Sequence, residues 1–476
     1  MRKRTWLLIA AFLAAAGLGI GLGLALTGGG REAAPTTQST PEATTAPPTT
    51  TAPPTTAPPP STQITQATGL HVVSVTPYSA TVAWRTDTPT TAQVAVGPAG
   101  SPPTIWRIDE HPARSHSVTL SGLSFSTPYH VDVTGAGGLD LTTPGPSGTP
   151  HAYVNAGTLW VDGNPFFPLM VFEQCSDTYD TSLRAGINLF AGDRCGHFAE
   201  ARSAAAGKAL AAATADDHDT DAHGAVAWFL PDEADGHDLT GANLPPPPAG
   251  APPVRFLTLT SHFYSGAAPL AQGRGMYPGL VSHANVVGFD LYPLQNWCQP
   301  GRLADVYWAQ QELARLTSGK PTYQWIEAAG MSCPTTGQTA ITPATVRAES
   351  LLAVAGGAQG LGFLPAAAWT GDVGAAIAEV ARTVHYLGPG LLGPAVPVTV
   401  DPATGPVKAG AHASGGALYV VAVNSSFAPA RATIHVAGLG GRALQVFDEG
   451  RTVPAQGDSF TDDFAPLAAH VYVAAP

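Results

Sequence analysis

The stretch AVAWFLPDEADG, residues 225–236, is an apolar run that ends in a proline and two adjacent acids. Apolar runs without alternation predict strands buried on both faces, as in a parallel sheet. Runs of this kind alternate with Ala-rich stretches of helical length and cover residues 166–172, 187–191, 209–214, 225–230, 254–260, 286–291, 322–326 and 360–364. Eight such strands predict a (β/α)8 TIM barrel over residues 151–390. A doubly wound open sheet is the alternative, disfavoured because no G-x-G-x-x-G follows the first strand.

The barrel is expected to be one part of a multidomain chain. Residues 68–150 contain short alternating segments between Pro/Gly turns, which predict an N-terminal β-sandwich. Alternation returns over residues 391–476, so a C-terminal β-sandwich is predicted there. Trp84 in SATVAWRTD and Tyr129 in LSGLSFSTPYHVDV resemble the core tryptophan and tyrosine corner of a fibronectin type III module. That resemblance implies a spacer or adhesive module without chemistry of its own.

The N-terminus indicates export. Arg2, Lys3 and Arg4 precede 23 uncharged residues, 5–27, enough to cross a bilayer core that needs about 20. Residues 1–27 are therefore predicted to anchor the chain in the membrane, with a cleaved signal peptide as the alternative. Residues 28–67 read as a Pro/Thr-rich linker. We expect a single-pass protein with an extracellular C-terminus at the cell surface, or a secreted protein if the helix is cleaved.

Composition excludes several classes of function. The net charge is −12, and no Lys/Arg block occurs beyond the first four residues, so nucleic acid is not an expected partner. No G-x-S-x-G motif is present, which disfavours a serine hydrolase. The acidic stretch ADDHDTDAH, residues 215–223, is predicted to be a solvated loop, and no metal or other cofactor is expected. The oligomeric state is left open.

Carboxylates follow two of the predicted barrel strands. Asp232 and Glu233 come after the fourth strand, and Glu327 follows the seventh in PTYQWIEAAG, residues 321–330. Because barrel chemistry lies at the carboxyl ends of the strands, we expect these acids to meet across the mouth. A carboxyl group that protonates a leaving oxygen, facing a second carboxylate, is the requirement for glycosidic cleavage.

This arrangement resembles the retaining (β/α)8 glycoside hydrolases of clan A. The entry LWVDGNPFFPLM, residues 159–170, is similar to the strands that precede the first barrel strand in such enzymes. The resemblance implies that Glu233 is the acid/base, that Glu327 is the nucleophile about 5 Å away, and that a carbohydrate is the substrate. It also implies that Tyr292 hydrogen-bonds the nucleophile and that Trp369 is a sugar platform. The clan's pattern has Asn before the acid/base where this chain has Asp232, which as an anion accepts hydrogen bonds only.

Further polar residues near strand ends are expected to line the cleft with Asp232: Glu173, Arg194, His262 and Asp290. The alternative function is a non-catalytic carbohydrate-binding or cell-wall adhesion protein on a degenerate barrel. Four cysteines allow three pairings. The strand order places Cys175 and Cys195 in adjacent loops, and likewise Cys298 and Cys333, so disulfides within each of these two pairs are predicted.

Overall fold

The computed structural model describes residues 67–195, 197–216, 222–331, 333, 339–364, 369 and 371–476. The predicted anchor at residues 1–27 and residues 28–66 of the predicted linker lie outside this part of the chain. Within the described part, no helix combines the length and the apolar character needed to span a membrane.

The first all-β region contains five strands: β1 (Ala67–Val75), β2 (Ser79–Gly97), β3 (Ile105–Ser121), β4 (Pro128–Val133) and β5 (Gly137–Thr142). They form one antiparallel network, in which β2 pairs with β1, β3 and β4, and β4 pairs with β5. The segments at 79–85 and 92–96, predicted as two strands, belong to the single strand β2. Threonines, which favour extended backbone, fill the connection, and register shifts on either side of Thr90 allow the strand to bend without ending.

The barrel follows a small antiparallel sheet of β6 (Ala152–Asn155), β7 (Thr158–Val161) and β8 (Asn164–Pro165). Eight parallel strands then close into a ring: β9 (Leu169–Gln174), β10 (Leu189–Asp193), β11 (Leu210–Thr214), β12 (Trp228–Phe229), β13 (Arg255–Thr260), β14 (Val286–Asp290), β15 (Thr322–Glu327) and β16 (Leu361–Leu364). The predicted barrel is confirmed, and each strand overlaps its predicted segment. Only β12 is much shorter than expected, with two residues in place of six.

Helices occupy most of the connections. They are α1 (Tyr179–Arg184), α2 (Phe198–Ala205), α3 (Tyr277–Val281), α4 (Asp305–Leu316), α5 (Pro343–Gly356) and α6 (Asp372–Leu391). In the described residues no α-helix follows β11 or β12, so the ring of helices is less regular than the predicted (β/α)8 pattern. The connection after β12 carries four consecutive prolines at 245–248, which lack the N–H groups that a helix interior needs.

Aromatic side chains fill the barrel interior. Phe229 stacks on Phe256 at a centroid distance of 4.7 Å, and Tyr323 meets the Trp325 ring edge-on at 6.0 Å. A Cβ atom at Gly362 would overlap the Trp325 ring, so a glycine at this position gives the indole its space. The interior is thus a packed core beneath the mouth rather than a pore.

The C-terminal region has eight strands: β17 (Val398–Asp401), β18 (Val407–Ser414), β19 (Ala417–Asn424), β20 (Ala430–Val436), β21 (Leu444–Val446), β22 (Arg451–Val453), β23 (Ser459–Phe464) and β24 (Ala469–Ala474). They form antiparallel sheets of three and five strands that share one apolar core, which confirms an all-β region with sandwich-like sheets.

Both all-β regions contact the barrel. The Tyr129 hydroxyl donates to the carbonyl of His385 in α6 at 2.9 Å and accepts from the Ser124 N–H at 2.9 Å. The Tyr307 hydroxyl, from α4, donates to the Ala409 carbonyl in β18 at 3.3 Å. The Tyr419 hydroxyl, from β19, donates to the Thr104 carbonyl of the N-terminal region at 2.7 Å. The described residues from 67 to 476 therefore belong to one compact unit, and the predicted spacer is docked against α6.

Candidate active site

Three acids from the ends of two strands come together at the carboxyl end of the barrel. Asp232 and Glu233 follow β12, and Asp290 is the last residue of β14. Each is partly buried, and the charges of Asp232 and Glu233 both raise the pKa of Asp290. The mouth of the barrel therefore has a strongly acidic centre.

Asp232 lies near a polar chain in the barrel interior. The Thr258 side chain on β13, which opposes the rise in the pKa of Asp232, contacts the Tyr323 hydroxyl at 2.9 Å and accepts from the Trp325 indole N–H at 3.3 Å. Burial, followed by the charges of Glu233 and nearby acids, raises the pKa of Asp232 to about 7. At neutral pH this group therefore exchanges readily between its protonated and ionised forms.

Glu233 has a left-handed backbone, with a φ of 44°. This conformation is uncommon for a residue with a side chain and is found at turns and functional sites. Burial is the largest cause of the raised pKa of Asp290, and the charge of Glu233 is the second. The acids at the ends of the fourth and sixth strands thus act on each other electrostatically.

The turn that carries Glu233 is fixed by Asp235. The Asp235 carboxyl group is 1% exposed and accepts from the Thr260 N–H at 2.8 Å, from the Thr260 hydroxyl at 2.5 Å and from the Tyr277 hydroxyl at 3.1 Å. These bonds tie the loop after β12 to the end of β13 and to α3. We infer that Asp235 holds the loop in place, since its oxygens are occupied by neighbouring structural elements.

Glu327 ends β15 as predicted, but its neighbours differ from those of Glu233. It is fully buried, and its Oε1 accepts from the Leu294 N–H at 2.9 Å. The Glu327 N–H donates to the carboxylate of Glu349 on α5 at 3.1 Å. Burial raises the pKa of Glu327 to about 8, against the opposing effect of the Leu294 and Gln295 N–H groups. Glu327 and Glu349 thus form a second group of acids in the barrel.

Tyr292 lies between the two acidic groups. Burial and the charges of Asp290, Asp232, Glu233 and Glu349 raise its pKa. Its hydroxyl is buried and has no hydrogen-bond partner among the described residues. The predicted hydrogen bond from Tyr292 to Glu327 is therefore not present in this structure, although the hydroxyl remains in the acidic neighbourhood.

The other residues that were predicted to line the cleft have different surroundings from one another. Glu173 is partly buried, and its charge helps to raise the pKa of Asp232. Arg194 is exposed, and the His262 ring contacts the Ala268 carbonyl at 2.7 Å within its own loop. Trp369 is 3% exposed and meets Phe363 edge-on at 5.9 Å, so its ring is packed rather than open to solvent. The platform role of Trp369 stays a prediction.

The predicted cysteine pairing is confirmed. Disulfides join Cys175 to Cys195 and Cys298 to Cys333. The second bridge joins the loops after β14 and β15, which Gln295 also links by donating to the Thr339 carbonyl at 2.6 Å. Residues 217–221 of the acidic loop lie outside the described residues, and within the described ones no cluster of His, Cys, Asp or Glu is arranged to hold a metal ion.

Glu349 was missed in the sequence analysis. It lies in RAESLLAVAG, residues 347–356, where an acid inside an apolar helix is a sign of a buried carboxyl group. Burial and the charge of Glu327 raise its pKa. The sequence pattern indicates that Glu349 is buried, but it does not indicate that Glu349 lies beside Glu327.

Comparisons with known proteins give fold similarity only. No protein-family model and no curated protein matches the chain. Among solved structures, a GH30 endoxylanase from Clostridium papyrosolvens is 13% identical with a TM-score of 0.40, covering 65% of this chain and 97% of its own. Alpha-galactosidase I from Mortierella vinacea is 11% identical with a TM-score of 0.42, covering 63% and 91%. A beta-glucuronidase from Faecalibacterium prausnitzii is 12% identical with a TM-score of 0.30, covering 63% of this chain and 59% of its own. Similarity this low carries no information about the activity of this chain.

Proposed function

We propose that the chain is a glycoside hydrolase that cleaves O-glycosyl bonds of a poly- or oligosaccharide at the barrel mouth. The observation that carries this proposal is the group of three acids, Asp232, Glu233 and Asp290, at the ends of the fourth and sixth strands on the carboxyl side of the barrel. Burial and the charge of Glu233 raise the pKa of both Asp232 and Asp290, so this acidic group retains a proton near neutral pH, and a proton is needed to protonate a glycosidic oxygen.

In this proposal Glu233 is the general acid/base. It is partly buried at the mouth, on a turn that Asp235 fixes, and its charge raises the pKa of both Asp232 and Asp290. Protonation of the leaving oxygen by Glu233 would let the C–O bond break with its electron pair on that oxygen. The same group, then ionised, would take a proton from the attacking water.

Glu327 is proposed as the nucleophile of a retaining double displacement. Its Oε1 is fixed by the Leu294 N–H, while its Oε2 has no hydrogen-bond partner among the described residues. Since its pKa is about 8, ionised Glu327 becomes abundant only in mildly alkaline solution. Activity that depends on this nucleophile should therefore rise with pH up to about that value.

We also propose a cellular location for the chain and an identity for its N-terminal domain. The basic residues at 2–4 and the uncharged stretch at 5–27 support an N-terminal membrane anchor, with the barrel outside the cell. The buried Trp84 and the Tyr129 corner support a fibronectin type III-like module at residues 68–150. With the linker at 28–67, the barrel at 151–390 and the sandwich at 391–476, this arrangement would present the active site at the cell surface or beyond it.

The test compares Glu233→Gln and Glu327→Gln with Glu200→Gln, which removes an exposed acid on α2 far from the proposed chemistry. Each chain is assayed on a panel of aryl glycosides and polysaccharides, and the anomeric configuration of the first product is read by NMR. We expect retained configuration, loss of turnover by at least about 100-fold in the first two variants, and normal activity in the third.

Two results would contradict the proposal. Full activity of Glu327→Gln would remove that residue from the nucleophile role, and an inverted product would exclude the double displacement. Saturable carbohydrate binding that all three variants keep, without turnover in the unmodified chain, would instead establish the alternative of a non-catalytic binding or adhesion protein.

A further inference from the structure

The backbone N–H of Glu327 points to a side of β15 where its neighbouring strand has ended. Pairing between β14 and β15 stops at Asp290 and Trp325, two residues before Glu327, and Asp290 is the last residue of β14. Successive N–H groups along a strand point to opposite neighbours, and the next one, from Ala328, donates to the Leu364 carbonyl of β16 at 2.7 Å. The Glu327 N–H therefore faces the β14 side, and because it is buried it needs an acceptor other than a strand.

Glu349 provides this acceptor from α5. Its carboxyl Oε1 accepts from the Glu327 N–H at 3.1 Å, and both residues are 0% exposed. The other oxygen, Oε2, is buried and has no hydrogen-bond partner among the described residues. The bond to Glu327 thus accounts for the presence of a carboxyl group inside an apolar helix, where burial of such a group is otherwise unfavourable.

The side chain of Glu327 is held separately, by the loop after β14. The Leu294 N–H donates to the Glu327 Oε1 at 2.9 Å. Gln295, which is 1% exposed, accepts from the Met331 N–H at 3.1 Å and so ties this loop to the loop after β15. The position of the Glu327 carboxyl group depends on both attachments, one at its backbone from α5 and one at its side chain from the β14 loop.

We propose that Glu349 is a positioning residue for the Glu327 nucleophile, because it accepts the Glu327 N–H in place of β14 and so fixes the strand end that carries the attacking oxygen. The inference rests on the proposed function for its kinetic consequence, whereas the hydrogen bond itself does not depend on it. Glu349 acts through the backbone of Glu327 and does not need to touch the substrate. Its role requires an acceptor oxygen and not a negative charge.

Glu349→Gln and Glu349→Met form a matched pair that tests this requirement. Both new side chains are unbranched and of similar length, but only glutamine has an oxygen that can accept the Glu327 N–H. Ser350→Ala is the control on the same helix, since Ser350 is 0% exposed and its Oγ has no hydrogen-bond partner among the described residues.

Amide hydrogen exchange measures the hydrogen bond without any need for substrate. The full chain is labelled with 15N-glutamate, the Glu327 resonance is identified by its loss in Glu327→Gln, and the amide of Glu312 inside α4 reports changes in overall stability. Relative to Glu312, exchange at Glu327 should be at least about tenfold faster in Glu349→Met and within about threefold of the unmodified chain in Glu349→Gln. Ser350→Ala should leave the ratio unchanged.

Kinetics provide the second readout. In Glu349→Met, kcat should fall by about 10- to 100-fold while KM stays within about threefold, because a displaced nucleophile slows the chemical step and leaves substrate binding in place. Glu349→Gln should restore kcat to within about tenfold of the unmodified chain.

The outcomes separate the two proposals. An unchanged exchange ratio in Glu349→Met, or equal losses of kcat in Glu349→Met and Glu349→Gln, would overturn the positioning role. Faster exchange with an unchanged kcat in Glu349→Met would make the bond purely structural and overturn it as well. The expected exchange pattern in a chain without any glycosidase activity would uphold the bond and overturn the proposed function instead. If Glu349→Met does not fold, Glu349→Gln decides, because a larger loss of kcat than tenfold in that variant contradicts the need for an acceptor alone.

Discussion

Replacing Asp232 by Asn should stabilise the fold in a strongly pH-dependent way. Asp232 has a folded pKa of about 7 against the ordinary value of 3.8, so the folded state retains this proton to higher pH than the unfolded state does. Between these two values the native chain binds more protons than the unfolded chain, and the free energy of unfolding falls as pH rises. The shift corresponds to a penalty of about 4 kcal/mol once the group is ionised in both states.

Asn at position 232 is neutral at every pH and has nearly the same size and shape as Asp. The variant should therefore unfold with nearly the same free energy as the unmodified chain at pH 4, about 2 kcal/mol more at pH 5.5 and about 4 kcal/mol more at pH 8. The measurement is guanidinium unfolding at the three pH values, followed by tryptophan fluorescence, with Asp180→Asn as the exposed control. A stability difference of the same size at pH 4 and pH 8, or one that shrinks as pH rises, would refute the assignment of Asp232 as a buried acid.

Two further predictions concern the barrel frame. Gly362→Ala should lower the free energy of unfolding by about 1–3 kcal/mol or more, because the new Cβ overlaps the Trp325 ring. Thermal unfolding measures the loss. Gly301→Ala, where the new methyl group meets no neighbour, is the control that separates this overlap from a general effect of replacing glycine. Replacing Cys298 and Cys333 together by Ser should cost about 3–4 kcal/mol, since the bridge closes 35 residues of chain; a loss below about 1 kcal/mol in the same assay would show that the loops are held by other contacts.

The barrel could be predicted from the sequence because its strands are continuous apolar runs. A strand covered on both faces needs apolar side chains at consecutive positions, and few other structures need that pattern at such regular spacing. The length of β12 could not be predicted in this way. The run 225–230 is apolar throughout, yet only Trp228 and Phe229 pair with both neighbouring strands. Which residues pair depends on the positions of β11 and β13, and the apolar segment 225–230 does not specify those positions.

The sequence predicts which acids lie at the site, but it does not predict which of them are neighbours. Strand ends identified Glu233, Glu327 and Asp290, because a parallel barrel brings all carboxyl ends to one face. Which acids touch depends on side-chain direction, and the direction of Glu233 follows from its positive φ and from the Asp235 bonds to Thr260. Neither feature has a sequence pattern of its own. The predicted pairing of Glu233 with Glu327 therefore stays a prediction.

The acidic mouth is costly for the fold, and this cost is itself an argument for function. Asp232, Asp290, Glu327 and Glu349 all have pKa values raised by burial, so each destabilises the folded chain as pH rises through neutrality. A barrel selected for stability alone would carry amides or apolar residues at these positions, since the aromatic core below them is already well packed. Destabilising groups that lie together at the carboxyl end of the barrel strands, where Leu294 holds Glu327 and Asp235 fixes the loop after β12, are better explained by proton transfer than by architecture. On this argument, neutralising any one of them should raise stability at alkaline pH, and only those that take part in the reaction should lower turnover at the same time.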